Sequence, residues 1–185
     1  ESSYRKALEL NPGLADAHLN IGTIFKDLGK LQEAELSYRK AIEIKPDYAD
    51  SHYNLANILN DIGKSQEAEF SYRKAIEIKP NFADAHNDLG SILGELRKGE
   101  EAIRHRKKAV DLKPEDEKLV IGLAHHLCYE KKYDLALKYL SKNNSNSSQS
   151  VYLGCLLSLD REKDFNEKYT DLSEKKACNA KLGGI

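Results

Sequence analysis

An all-α solenoid of paired helices is the fold that the sequence predicts, and three observations predict it. Pro12, Pro46, Pro80 and Pro114 are the only prolines in 185 residues, and each stands 34 residues from the next. A fixed period of that length marks a chain built of stacked supersecondary units. The residues leading to each proline repeat as well: residues 38–46 and 72–80 both read YRKAIEIKP, residues 106–114 read RKKAVDLKP, and residues 4–12 read YRKALELNP. Between these segments, small and apolar residues recur at helical spacing.

Residues 49–82 show how one unit is built. The first half, ADSHYNLANILNDIG, puts Leu55, Ala56, Leu59 and Ile62 on one helical face, and Gly63 ends the helix. The second half, KSQEAEFSYRKAIEIKP, puts Ala68, Tyr72, Ala75 and Ile76 on another face. Pro80 closes it, because the residue before a proline avoids helical geometry. Each unit is expected to be two antiparallel helices with a short turn. In chain order, residues 1–14 hold the second helix of a truncated preceding unit, and 15–48, 49–82 and 83–116 are full units. Residues 117–142 form a degenerate pair with Ala124 and Ala136 at its small positions. Residues 143–177 comprise a polar loop, NNSNSSQS at 143–150, then capping or bridging helices at 151–159 and 162–176; residues 178–185 are a tail or cut linker. Degenerate terminal units are what a solenoid needs where it caps itself or meets another domain.

Aligned at this period, the units share Gly22, Ala56 and Gly90; Phe25, Leu59 and Leu93; Ala34, Ala68 and Ala102; and Ala41, Ala75 and Ala109. With the prolines, these are the eighth, eleventh, twentieth, twenty-seventh and thirty-second positions of the tetratricopeptide repeat, which residues 1–114 closely resemble. Small side chains there let helix axes approach. One departure is consistent: the fourth position, often tryptophan in that family, is His18, His52 and His86. The resemblance implies a right-handed α-solenoid whose first helices line a concave groove and whose second helices form the outer surface. Non-catalytic binding of protein or peptide is the function it implies, with no cofactor.

Charge sorts by helix. The first helices, 15–28, 49–62 and 83–96, hold one basic and seven acidic residues. The second helices, 29–45, 63–79 and 97–113, hold 15 basic and 9 acidic residues. Asp16, Asp50 and Asp84 sit at helix starts, where a carboxylate caps free amides. Asp27, Asp61 and Glu95 lie near helix C-termini, where the dipole disfavours an anion. Two readings stand for them: local pairing with Lys30, Lys64 and Lys98 three residues on, and recognition of a ligand in the groove. The sixth position is Asn20, Asn54 and Asp88. In the family it faces the groove, and a repeated asparagine resembles the ladders that hold extended peptides by their backbone. An amide side chain both donates and accepts, so it pairs with any peptide unit. Tyr53, Asn57 and Asn87 extend this candidate surface. Other members clamp a C-terminal carboxylate with basic residues, but the matching positions here are Leu19, Asn54, Asp84 and Asp88, so a neutral or basic extended segment suits the groove better.

Several chemistries are disfavoured. The formal net charge is −1, which gives no bias toward nucleic acid or a membrane surface. No apolar run reaches the roughly 18 residues of a membrane span. His18, His52 and His86 would lie about 10 Å apart at helix spacings of roughly 8–10 Å, too far to share a metal, so packing within the repeat is their expected role. Arg104 to Lys108 reads as a solvated face without aromatic stacking partners. No catalytic or phosphate-binding motif is present. Cys128, Cys155 and Cys178 are odd in number and widely spaced, so small apolar packing in a reducing, cytoplasmic setting is expected rather than a disulfide framework. The chain has no methionine and opens inside a repeat, which suggests a fragment of a longer protein. Near-identical repeats also resemble bacterial, especially cyanobacterial, arrays that precede glycosyltransferase, sulfotransferase or 2-oxoglutarate–iron oxygenase domains. A substrate-positioning module of such an enzyme is therefore the alternative function. End-to-end self-association through an open repeat is a third option.

Overall fold

The computed structural model describes residues 13–142 and 146–159, and its described residues form helices and turns. Helix α1 spans Ala15–Asp27, α2 Leu31–Ile44, α3 Ala49–Asp61, α4 Ser65–Ile78, α5 Ala83–Glu95 and α6 Gly99–Leu112. Helices α7, α8 and α9 span Glu117–Tyr129, Tyr133–Leu140 and Asn146–Ser158. The chain divides into two compact units between Leu112 and Lys113. The truncated N-terminal helix, the helix expected at 162–176, the tail and Cys178 lie outside the described residues.

In the first unit three helix pairs stack as an all-α solenoid. Its core holds Ala34, Tyr38, Leu55, Ala56, Ile58, Leu59, Ala68, Tyr72, Leu89, Ile92, Leu93 and Ala102. These are the residues at the small and large positions of the 34-residue pattern, with the tyrosines filling the space between helices. The reason for a small eighth residue is visible at Gly22: a Cβ there would lie 2.6 Å from the ring of Tyr38, a side chain that is itself fully buried. In the second unit α7, α8 and α9 bury Leu123, Ala124, Leu127, Ala136 and Leu140.

The turn inside each pair has one geometry. Lys30, Lys64, Lys98 and Lys132 donate their backbone N–H to the carbonyls of Phe25, Leu59, Leu93 and Leu127, at 2.7–2.8 Å. This bond closes the helix end only if the residue before the lysine turns left-handed. Gly29 and Gly63 do so with φ of 72° and 79°, whereas Arg97 and Lys131 do so with φ of 59° and 58°. A side chain at that φ carries strain of roughly 1–2 kcal/mol. Arg97→Gly is therefore expected to stabilise the chain by about 0.5–1 kcal/mol once the entropy of an unfolded glycine is subtracted. The urea midpoint should rise; an unchanged midpoint would mean that the strain at Arg97 is no larger than the entropic cost of glycine.

Two expectations about helix starts are corrected. The N-cap positions of α1, α3 and α5 are Leu14, Tyr48 and Phe82, and none has a capping side-chain hydrogen bond. Asp16, Asp50 and Asp84 sit two residues further in, where a carboxylate acts on the dipole. Asp16 instead accepts from the Tyr48 hydroxyl at 2.6 Å. That bond pushes the Tyr48 hydroxyl up to about 12. Asp116 is a side-chain cap, accepting from the backbone of Lys118 and Leu119. The polar loop expected at 143–150 is cut short, because α9 begins at Asn146. Short polar side chains can satisfy free amides in a first turn, and Ser148 there is fully buried.

Candidate functional site

Helices α1, α3 and α5 place their residues in one register and end on Asp27, Asp61 and Glu95. All three residues are exposed, and none has an ion-pair or hydrogen-bond partner among the described residues. The local lysine pairing considered for them is not formed at Asp61 and Glu95. Lys64 reaches back to Glu35 at 3.4 Å and Lys98 to Glu69 at 2.8 Å, while Lys30 lies over the Phe25 ring at 5.9 Å. The cause is burial: the side chains of Glu35 and Glu69 are only 15% and 12% exposed, and attraction is stronger away from bulk water. Arg39 and Arg73 complete the ladder by joining Glu35 to Glu67 and Glu69 to Glu101. Burial pulls the Glu35 and Glu69 carboxyls upward, but the facing cations outweigh it and hold them below the usual carboxylate range.

The sixth-position series splits. Asn20 and Asn54 are half-buried on α1 and α3 and have no hydrogen bond to a described residue. Asp88 on α5 is engaged: the Tyr53 hydroxyl donates to its Oδ2 at 2.8 Å, and Asn87 Nδ2 donates to its Oδ1 at 3.1 Å. Burial raises the Asp88 carboxyl above its ordinary value, against those two bonds. Tyr53 therefore ties α3 to α5, with its ring packed on Phe82 at 4.7 Å and near Tyr72 at 6.0 Å.

Asn57 and Asn87 also have internal partners, which the sequence pattern concealed. In each pair a residue of the second helix reaches across to the first: Tyr38 to Thr23 at 3.3 Å, Tyr72 to Asn57 at 2.6 Å, and Arg106 to Ser91 at 2.9 Å. These residues share the 34-residue spacing. The third strut is arginine, so it brings a cation between the helices, and Arg106 also meets Asn87 Oδ1 at 3.5 Å. Asp88 supplies the compensating charge, where the other two pairs, braced by tyrosine, carry Asn20 and Asn54. The signal available in the sequence was this paired change, tyrosine to arginine and asparagine to aspartate.

The histidines hold the joints between repeats. His52 Nε2 meets the carbonyl of Pro46 at 2.9 Å and His86 Nε2 that of Pro80 at 3.1 Å. A carbonyl only accepts, so Nε2 carries the proton and Nδ1 is left as an acceptor. In His86 that Nδ1 receives the Nδ1–H of His105 at 3.0 Å, with the rings meeting edge to edge and their centroids 5.2 Å apart. Burial and the His86 ring depress His105 to about 4. In the second unit Cys128 and Cys155 are free cysteines, the latter buried, and they are neighbours, with Sγ atoms 2.7 Å apart across α7 and α9. Among the described residues no three His, Cys, Asp or Glu side chains cluster to hold a metal ion, and no helix is long and apolar enough to cross a membrane.

Family models described as TPR repeat and tetratricopeptide repeat match residues 22–63, and 3–35, 49–82 and 83–116, respectively. The chain belongs to the tetratricopeptide repeat family. As a member it carries the architecture of a protein-interaction scaffold. A comparison with curated protein sequences finds no significant match. Among solved structures, YrrB, described as a TPR protein with an unusual peptide-binding site, is 20% identical, with a TM-score of 0.77 over 98% of both chains. PilF of Pseudomonas aeruginosa is 26% identical, with a TM-score of 0.69 over 86% of this chain and 75% of its own. MamA is 21% identical, with a TM-score of 0.68 over 88% and 82%. The likeness to YrrB and MamA is one of fold.

Proposed function

We propose that the surface formed by α1, α3 and α5 holds an extended peptide segment of neutral or basic character. The observation that carries this reading is the row of Asp27, Asp61 and Glu95. Each carboxylate ends its helix where the dipole opposes it, at about 0.3–1 kcal/mol apiece, and each lacks a partner among the described residues. A cost repeated three times without internal compensation fits a role in recognition. Asn20 and Asn54 supply amides with donors and acceptors to spare, suited to a peptide backbone of any sequence. Asp88, Tyr53, Asn57 and Asn87 shape the surface and hold it rigid through their mutual bonds. The likeness to YrrB, a repeat protein of this fold with a peptide-binding site, supports the same class of partner.

Peptides selected from a random display library against this chain should be enriched in Lys and Arg over Asp and Glu. Binding should weaken with salt, because exposed charges are screened. Asn20→Ala with Asn54→Ala should weaken a selected peptide by about tenfold or more through lost hydrogen bonds, with helicity unchanged. Undiminished affinity in the folded double variant would defeat the proposal.

A further inference from the structure

A cleft of about 570 Å3 opens between α2, α3 and α4, away from the asparagine row. Its floor is apolar, from Ile42, Leu55 and Leu59, with Phe70 at its edge, and Arg39 and Glu67 pair beside it at 3.1 Å. His52 and Ser71 also line it. Among the described residues Ser71 has no hydrogen-bond partner, and His52 has one alone, through Nε2 to Pro46. Phe70 is 63% exposed and offers its ring to an occupant of the cleft.

The next repeat shows what belongs in such a cleft. Moving 34 residues along, His52 becomes His86, Ser71 becomes His105, and the Arg39–Glu67 pair becomes Arg73–Glu101. There the His105 imidazole meets His86 edge to edge and donates Nδ1–H to its Nδ1. Because His52 is anchored to a proline carbonyl through Nε2 in the same way, its Nδ1 presents the same acceptor to the open cleft. One repeat carries its own ring; the other has serine and a cavity.

We propose that this cleft receives the indole ring of a tryptophan on a partner protein, with the indole N–H donated to His52 Nδ1. Indole matches the internal template in being flat and carrying one ring N–H. Its second ring suits the apolar floor and a volume in the range of small-ligand pockets. A planar aromatic that can donate pairs with the acceptor in the cleft, whereas one that cannot leaves it unsatisfied.

The probe is N-acetyltryptophanamide, titrated against the whole chain at mildly alkaline pH, with the ring signals of His52 followed by NMR. The tryptophan amide should shift the His52 ring nitrogens, and the 1-methylindole analogue should bind about tenfold more weakly, having lost the donor. Ser71→His, which copies the arrangement of the following repeat, should abolish binding. Equal binding of the methylated analogue, or an absent response at His52, would overturn the proposal from the wild-type protein alone, whether or not the variant folds. A folded Ser71→His variant that still binds would overturn it too. The Asn20→Ala, Asn54→Ala pair should leave this titration unchanged, so failure of either proposal is distinguishable from failure of the other.

Discussion

Tyr72→Ala is expected to destabilise the repeat array by about 3–5 kcal/mol, the usual cost of deleting a buried ring. The ring is 2% exposed and packs toward Tyr53 at 6.0 Å, and its hydroxyl is the only strut between α3 and α4 at Asn57 Oδ1 among the described residues. Alanine would leave a cavity and remove the partner of a half-buried amide. Tyr72→Phe separates these terms. It keeps the ring and should cost only about 1–2 kcal/mol, the penalty for the unpaired acceptor. Urea denaturation followed by circular dichroism measures both. Because each repeat contacts chiefly its neighbours, the loss should also appear as faster hydrogen exchange centred on α3 to α5. Equal losses for the two variants would mean that the hydrogen bond, not the ring, supplies the stability.

Arg106→Ala is the second large effect, expected to cost about 2–3 kcal/mol at neutral pH, since a buried group loses its countercharge. The guanidinium bonds Ser91 and Asn87 and faces Asp88. Without it, Asp88 keeps Tyr53 and Asn87 but loses the nearby cation that lowers its pKa. A carboxyl whose folded pKa is raised above 3.8 binds its proton more tightly when folded, so its contribution to stability is lost as pH rises through that folded value. The deficit of Arg106→Ala should therefore shrink as pH falls from about 7 toward 4. Arg106→Tyr combined with Asp88→Asn rebuilds the tyrosine strut of the first two pairs and should be tolerated better than either change alone. A deficit independent of pH would show that Arg106 acts through packing rather than charge.

The helix pairs were legible because one 34-residue pattern encodes burial, turn and stop in separate residues: Ala34 and Ala68 for close approach, Gly29 and Gly63 for the left-handed turn, proline for the end. Asp27, Asp61 and Glu95 were legible as anomalies because the dipole argument is local. Contacts between repeats were not. Lys64 looked like a partner for Asp61 three residues away, yet it meets Glu35, 29 residues away in sequence, because the outer helices stack side by side. Tyr53 with Asp88, and Cys128 with Cys155, are likewise pairs of helices rather than pairs in sequence. The start of α9 was hidden for a different reason: serine and asparagine favour a loop in composition but also serve a first helical turn.

The outer ladder has a consequence for how such a chain can vary. Lys64 to Glu35 is followed by Lys98 to Glu69, Arg39 to Glu67 by Arg73 to Glu101, and Lys45 over Tyr48 by Lys79 over Phe82. A duplicated 34-residue segment spliced into this joint would meet, on both sides, the partners that it carries itself. Duplication or deletion of whole segments thus asks for no new interface. The reach of the scaffold along a partner becomes a heritable variable, free to drift in steps of one helix pair while the chemistry of any single repeat stays fixed.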